Sequence, residues 1–416
     1  MKTTTEEKSW ILYDVGNSAF VLVMVTAIMP IFFKDFAASH LPAATSTAYW
    51  GYANSSAALV LALLSPFLGV LADRQGVKKR FFSAFLIFGV LMNLFLVFVS
   101  AEQWLICLGL FILARIGWGG ANLFYDAMLC DVTTPDRLDL ISTRGYALGY
   151  IGSVIPFVII LALILTADHP GPGLPPLQIK IAFVIVAGWW FSLSIPALKN
   201  LRQRHADPNA QSSISYGLRK LLSTIRDIRK HRNITIFLIA YFFYIDGVGT
   251  IISMSTVYGR DLGFGATQLI IVLLFIQIVA FPFALLYGKL ADTFSTRTMI
   301  FFGIFIYTIV TLLGFLLPSV TQMNLRLLLF WLIAFLVASS MGGIQALSRS
   351  YYSRIIPVEN SAEFFGFYNI FGKFAAITGP FLMAIVTSFT GQSKWGILSI
   401  MVLFIAGAFI LSRVKD

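Results

Sequence analysis

Twelve stretches of about twenty mostly apolar residues follow one another along this 416-residue chain, separated by short polar connections. A helix of that length rises about 30 Å, the thickness of a bilayer's hydrocarbon core. In lipid, a helix satisfies all its own backbone groups. The pattern therefore predicts an all-α membrane protein with twelve transmembrane helices. Composition agrees: 58% of residues are hydrophobic and 12% charged, more apolar surface than a water-soluble domain of this size could bury. The opening MKTTTEEK holds two acids and no small-residue cleavage site follows, so the first apolar run reads as a retained helix.

The net charge of +11 is explained by topology rather than by a nucleic-acid partner. Of the 30 Lys and Arg, 23 fall in one alternating set of connections and termini and 5 in the opposite set. Arg115 and Lys373 lie inside spans. Positive residues stay cytoplasmic, so both termini are expected there. Cys107 and Cys130 sit 23 residues apart toward opposite ends of the fourth apolar stretch, too far apart along a helix to bridge. No paired His or Cys spacing suggests a metal, and no phosphate loop or nucleophile elbow is present. The expectation is a protein that is not an enzyme and needs no cofactor.

One segment breaks the apolar character. Residues 199–232 carry nine basic residues, and Ile214, Leu218, Leu221, Leu222, Ile225 and Ile228 recur there at helical spacing. This describes a basic amphipathic linker lying against the inner leaflet. It divides the chain into bundles of six spans each, 1–198 and 233–416. The halves repeat each other. GVLADRQGVKKR (69–80) is echoed by GKLADTFSTRT (288–298), and GGANLFYDAMLCDVTTPD (119–136) by GGIQALSRSYYSRIIPVE (342–359). Two pseudo-symmetric six-helix bundles with a site near mid-membrane suit an alternating-access carrier.

Charged residues inside spans mark candidate pathways, because a charge facing lipid is costly. Asp14 and Asn17 share a face of the first span and read as a gate or proton acceptor, or as a polar network fixing the helix end. In span four, Arg115, Asn122 and Asp126 form one helical stripe. Arg115 lies near mid-membrane and can hold a carboxylate or phosphate in two-pronged fashion, or serve a structural ion pair. The second half offers Asp246 beside Tyr244, and Lys373 one turn after Asn369. Asp246 is either a coupling site or a clamp to Arg115 or Lys373.

The polar connections suggest a cytoplasmic gate built from Asp73, Arg74, Arg80, Asp292, Arg349, Asn360 and Glu363. Asn360 can cap the eleventh span with Glu363 reaching back, while Asp73 faces the same helix N-terminus as a latch. Lys78, Lys79 and Arg80 read as orientation charges on anionic lipid.

GVLADRQGVKKR, with Arg115 and Gly119, resembles the loop and span-four motifs of the major facilitator superfamily. WILYDVGNSAF, GGIQALSRS and EFFGFYNIFGKFAAITGP are similar to the vacuole-effluxer branch, which includes the autophagy-related amino-acid exporter. The likeness covers nearly the whole chain, although Val15 and Gly16 stand where that pattern has an aromatic and an alanine. It implies a proton- or gradient-coupled solute carrier and does not by itself transfer the amino-acid substrate. The first reading is a secondary active transporter, a proton-coupled exporter of a small polar solute such as an amino acid. The short loops fit a monomer in a bacterial cytoplasmic membrane, with protons or another ion as co-substrate and the lipid bilayer as its surroundings. A lipid or amphipathic-drug translocase of the same fold, and a non-transporting receptor or scaffold, are the alternatives.

Overall fold

The computed structural model describes residues 3–41, 43–167, 175–208, 232–262, 264 and 266–414. The amphipathic stretch 214–228 lies outside them, as does the Lys373 side chain. Among the described residues, twelve helices are long and apolar enough to cross a membrane: α1 (Thr5–Ala37), α2 (Tyr49–Ala72), α3 (Val77–Phe98), α4 (Trp104–Ala127), α5 (Pro135–Leu165), α6 (Pro176–Asn200), α7 (Arg232–Ser255), α8 (Ile271–Phe294), α9 (Thr296–Ser319), α10 (Met323–Ile355), α11 (Val358–Thr387) and α12 (Ser393–Leu411). Cys107 and Cys130 are both free thiols, the second on a short helix, Leu129–Val132, beyond α4.

Local chemistry sets the helix ends and bends. Thr4 accepts the Glu7 N–H at 3.1 Å and Glu7 accepts the Thr4 N–H at 2.8 Å, a reciprocal cap that starts α1. Further along, α1 widens into two π-helical stretches, Val21–Ala27 and Phe33–Ala37, on either side of Pro30. Proline has no N–H to give the ladder, and wider turns accommodate the gap. Pro66, Pro156, Pro196, Pro282 and Pro380 lie inside other helices.

The chain forms two compact units. The first comprises Met1–Thr133, Leu148–Gly217 and Val358–Gly366. In it α3 lies directly against α4, and a Cβ on Gly117 would run into the Gly89 backbone. Small residues at such a crossing let helices approach closely without a hydrophobic drive from lipid. α1 packs on α6, where Phe20 and Trp190 meet at 5.4 Å between ring centres. The second unit comprises Thr134–Ala147, Leu218–Pro357 and Phe367–Asp416. There α8 packs on α10, with Tyr287 against Gly343, and α7 on α12. The first turns of α5 therefore group with the second unit, and the first turns of α11 with the first.

Candidate functional site: a mid-span arginine, a buried aspartate and two polar clusters

Inside the first unit, Arg115 lies eleven residues into α4, about 17 Å along the helix. It is half-buried, and its Nη1 donates to Asn54 Oδ1 on α2. Among the described residues no carboxylate lies within ion-pair distance of it. The alternative of a structural ion pair at Arg115 finds no described acid: its partner is a neutral amide, which orients the guanidinium without neutralising it.

The neighbouring polar residues are tied into helix contacts. The Asn17 amide donates to the Tyr13 carbonyl at 3.1 Å and to Asp14 Oδ1 at 3.4 Å. Its oxygen accepts the Trp118 indole N–H at 3.1 Å, joining α1 to α4. Asn122 donates to the Trp118 carbonyl at 2.9 Å. Asp14 is buried, and Asp126 is half-buried in the last turn of α4.

At the loop between α2 and α3, Asp73 is 1% exposed. Its two carboxylate oxygens accept the backbone N–H groups of Ala362 (2.9 Å) and Glu363 (2.8 Å). The helix beginning at Ser361 is therefore capped by Asp73, which corrects the expectation that Asn360 caps it. A carboxylate offers two oxygens and a negative charge to the positive end of a helix. Asn360 instead donates to Asp207 Oδ2 at 3.3 Å. Gly69 makes the approach feasible: a Cβ there would strike the Ala362 carbonyl. Burial pushes the Asp73 carboxyl up to about 7, against the pull of Lys78 and the two N–H donors.

Lys78 is also misread from sequence. It is 0% exposed and touches no lipid. Its ammonium meets Asp131 at 2.9 Å and the Ser361 hydroxyl at 2.8 Å. Asp131 Oδ1 further accepts the N–H groups of Arg204 (2.9 Å) and His205 (2.8 Å). The extended segment 201–207 straps this loop: Gln203 Oε1 accepts the Lys78 N–H at 3.2 Å, and the Asp207 N–H donates to the Asp73 carbonyl at 2.9 Å. Arg74 and Arg80, expected in the gate, are exposed and stand outside this cluster.

The second unit has the corresponding polar cluster with its charges rearranged. Asp139, in the first turns of α5, accepts from Thr296 at 2.6 Å, from Arg354 at 3.0 Å and from Ser350. Arg349 is 3% exposed, donates to the Ser142 hydroxyl (2.9 Å) and carbonyl (3.1 Å), and lies 4.5 Å from the Tyr146 ring centre. Asp292, the repeat counterpart of Asp73, is exposed. It lies on the rim of an open cavity of about 950 Å³, lined also by Arg232, Arg297, Arg354 and Asp136. In the repeats, Asp131 stands where the second copy has Arg354, and that reversal was readable from the alignment of the two halves.

Deeper in the second unit, Tyr244 shares a hydrogen bond with Ser348 at 2.7 Å. Tyr368 stacks on Tyr241 at 4.2 Å and on Tyr352 at 5.0 Å. Asn369 is half-buried on α11. Asp246, near the middle of the continuous helix Arg232–Asp261, is 0% exposed, and its Oδ1 accepts the Gly379 N–H at 2.8 Å.

The family model of the "vacuole effluxer Atg22 like" proteins matches residues 42–416. The chain belongs to this family. Within it, the chain is 46% identical over 415 residues to the uncharacterized MFS-type transporter YxiO of Bacillus subtilis (strain 168), covering 99% of this chain and 95% of that one. It is 23% identical over 476 residues to autophagy-related protein 22 of Saccharomyces cerevisiae (strain YJM789), covering 95% and 88%. The human organic anion transporter MFSD10 shares the fold at a TM-score of 0.75 and 13% identity, over 99% of this chain and 100% of the other. This Atg22-like protein is an MFS-type transporter, a multi-pass membrane protein of the major facilitator fold and not an enzyme.

Proposed function

We propose that this Atg22-like transporter exports a small polar solute bearing an anionic group, such as an amino acid, in exchange for protons. It works as a monomer in the bacterial cytoplasmic membrane, with both termini cytoplasmic. The bundles 1–198 and 233–416, joined by the linker 199–232, alternate in exposing the site. One observation carries the reading: at mid-span the Arg115 guanidinium is held by the Asn54 amide oxygen, with no described acid within ion-pair distance. A guanidinium placed so binds a carboxylate through two parallel N–H bonds. The family's description as vacuole effluxers and the 46% identity to a bacterial transporter support efflux from a bacterial cell.

The test is purified protein in liposomes with an imposed pH gradient, offered radiolabelled amino acids, non-amino carboxylates and amphipathic cations. Gradient-dependent movement of a carboxylate solute, lost in Arg115→Ala, is expected. Movement of amphipathic cations alone, or carboxylate flux unchanged in Arg115→Ala, would overturn it.

A further inference from the structure

Asp246 differs from the other acids inside spans. Oδ1 accepts from Gly379, while Oδ2 is enclosed with no hydrogen-bond partner. The Thr250 hydroxyl, one turn along α7, donates to the Asp246 main-chain carbonyl at 2.7 Å and lies beside the carboxylate. Among the described residues no Lys, Arg or His nitrogen lies within 4 Å. The charged groups of the surrounding helices are placed elsewhere. On α10, Arg349 is engaged by Ser142 and Tyr146. On α9, Arg297 donates to the Ser412 carbonyl, and Lys289 and Asp292 stand in the last turns of α8. Lys394 starts α12, and Lys373 stands on α11 six residues before Gly379.

An ionised carboxylate in apolar surroundings without a counter-charge is heavily penalised, so the enclosed, unpartnered oxygen is a place suited to a proton. A single free oxygen suits a proton, whereas a hard cation needs several oxygen ligands.

The acceptor side is equally specific. Gly379 precedes Pro380, which has no N–H. The Gly379 N–H donates across the helix contact to Asp246. A Cβ at position 379 would strike Thr250 and lie 2.7 Å from Asp246 Oδ1, so α7 and α11 meet this closely because residue 379 is glycine. Pro380 thus leaves a gap in the ladder of α11 beside this contact, and a helix gives way most easily where its ladder is interrupted.

We propose that Asp246 is the proton-carrying group of this transporter, and that its proton sets how firmly α11 is held to α7 at Gly379–Pro380. The proposal rests on the proton-coupled reading above. When the Oδ2–H bond breaks and the proton passes to water, the Gly379 bond becomes charge-assisted and roughly twice as strong. The ionised form clamps α11 to α7 and the neutral form releases it. By linkage, bending α11 away from α7 favours proton uptake.

The test needs no substrate. Infrared difference spectra of the purified protein between about pH 5 and about pH 9 should show a carboxylic-acid band that is absent in Asp246→Asn. Hydrogen exchange at residues 377–383, corrected for intrinsic rate, should slow about tenfold at the higher pH in the wild type and stay constant in Asp246→Asn. Pro380→Ala, which restores an N–H, should keep the infrared band and flatten the exchange response. The band persisting in Asp246→Asn, or an exchange response unchanged by that substitution, would overturn the proposal. Liposome flux separates the two readings. If a pH gradient drives wild-type and Asp246→Asn flux equally, the assignment to Asp246 fails and proton coupling stands. If the gradient drives neither while the band and exchange results hold, proton coupling itself fails.

Discussion

The carboxylate of Asp73 receives the backbone N–H of Glu363 at 2.8 Å, across 290 positions of sequence. The first turn of α11 is thereby fastened to the loop between α2 and α3. Lys78 adds a second tie through the Ser361 hydroxyl, and Asp131 neutralises that lysine.

Weakening that fastening has a local readout. Asp73→Asn keeps the shape but puts an amide N–H, which cannot accept, in place of one acceptor oxygen, a loss of ~1–2 kcal/mol at a helix N-terminus. Hydrogen exchange at Ala362 and Glu363 should quicken about tenfold. Gly69→Ala should do the same, because its Cβ would meet the Ala362 carbonyl and lie 2.9 Å from Glu363 Cα. Unaltered exchange in both variants would remove Asp73 as a cap.

The same carboxyl makes this contact depend on pH. Packed, it titrates at about 7; free in water it would titrate near 3.8. The packed form therefore binds the proton more tightly. Its packing is favoured below the free value and loses that advantage as pH rises through about 7. Going from about pH 8 to about pH 6 should shift the packed-to-released ratio about tenfold toward packed. A thiol-accessibility probe at a cysteine introduced for Arg74 checks this, with reactivity corrected for thiolate fraction. A ratio that moves the other way, or moves equally in Asp73→Asn, refutes the assignment.

Lys78 and Asp131 form a fully buried ion pair, so removing one partner strands a charge. Lys78→Ala and Asp131→Ala should each cost ~3–5 kcal/mol. Lys78→Met with Asp131→Leu should recover most of that loss. Thermal unfolding in detergent, arranged as a double-mutant cycle, measures the coupling. Additive single effects would show that the pair is not acting as a unit.

Arg115→Lys retains the positive charge but loses the planar fork. Apparent affinity for a carboxylate solute in the liposome assay should weaken about tenfold to a hundredfold. Asn54→Ala, which leaves the guanidinium unoriented, should weaken it less, by about threefold to tenfold. Equal affinity in all three proteins would show that Arg115 does not touch the solute.

Hydropathy alone determined that this chain is helical and crosses the membrane twelve times, because in lipid few backbone arrangements satisfy their own hydrogen bonds. The repeat brought Asp73 and the start of α11 to notice, and the span-depth argument marked Arg115 and Asp246. Tertiary structure decided the partners. Sequence spacing reports which residues share a helix face, but a buried charge is answered by whatever a distant segment brings to it. Thus Asn54 meets Arg115, Asp131 and Ser361 meet Lys78, and Gly379 meets Asp246. For the same reason Asp73 is enclosed while its repeat counterpart Asp292 is exposed. Identical residues in matching loops differ in exposure when a helix N-terminus reaches one of them and not the other.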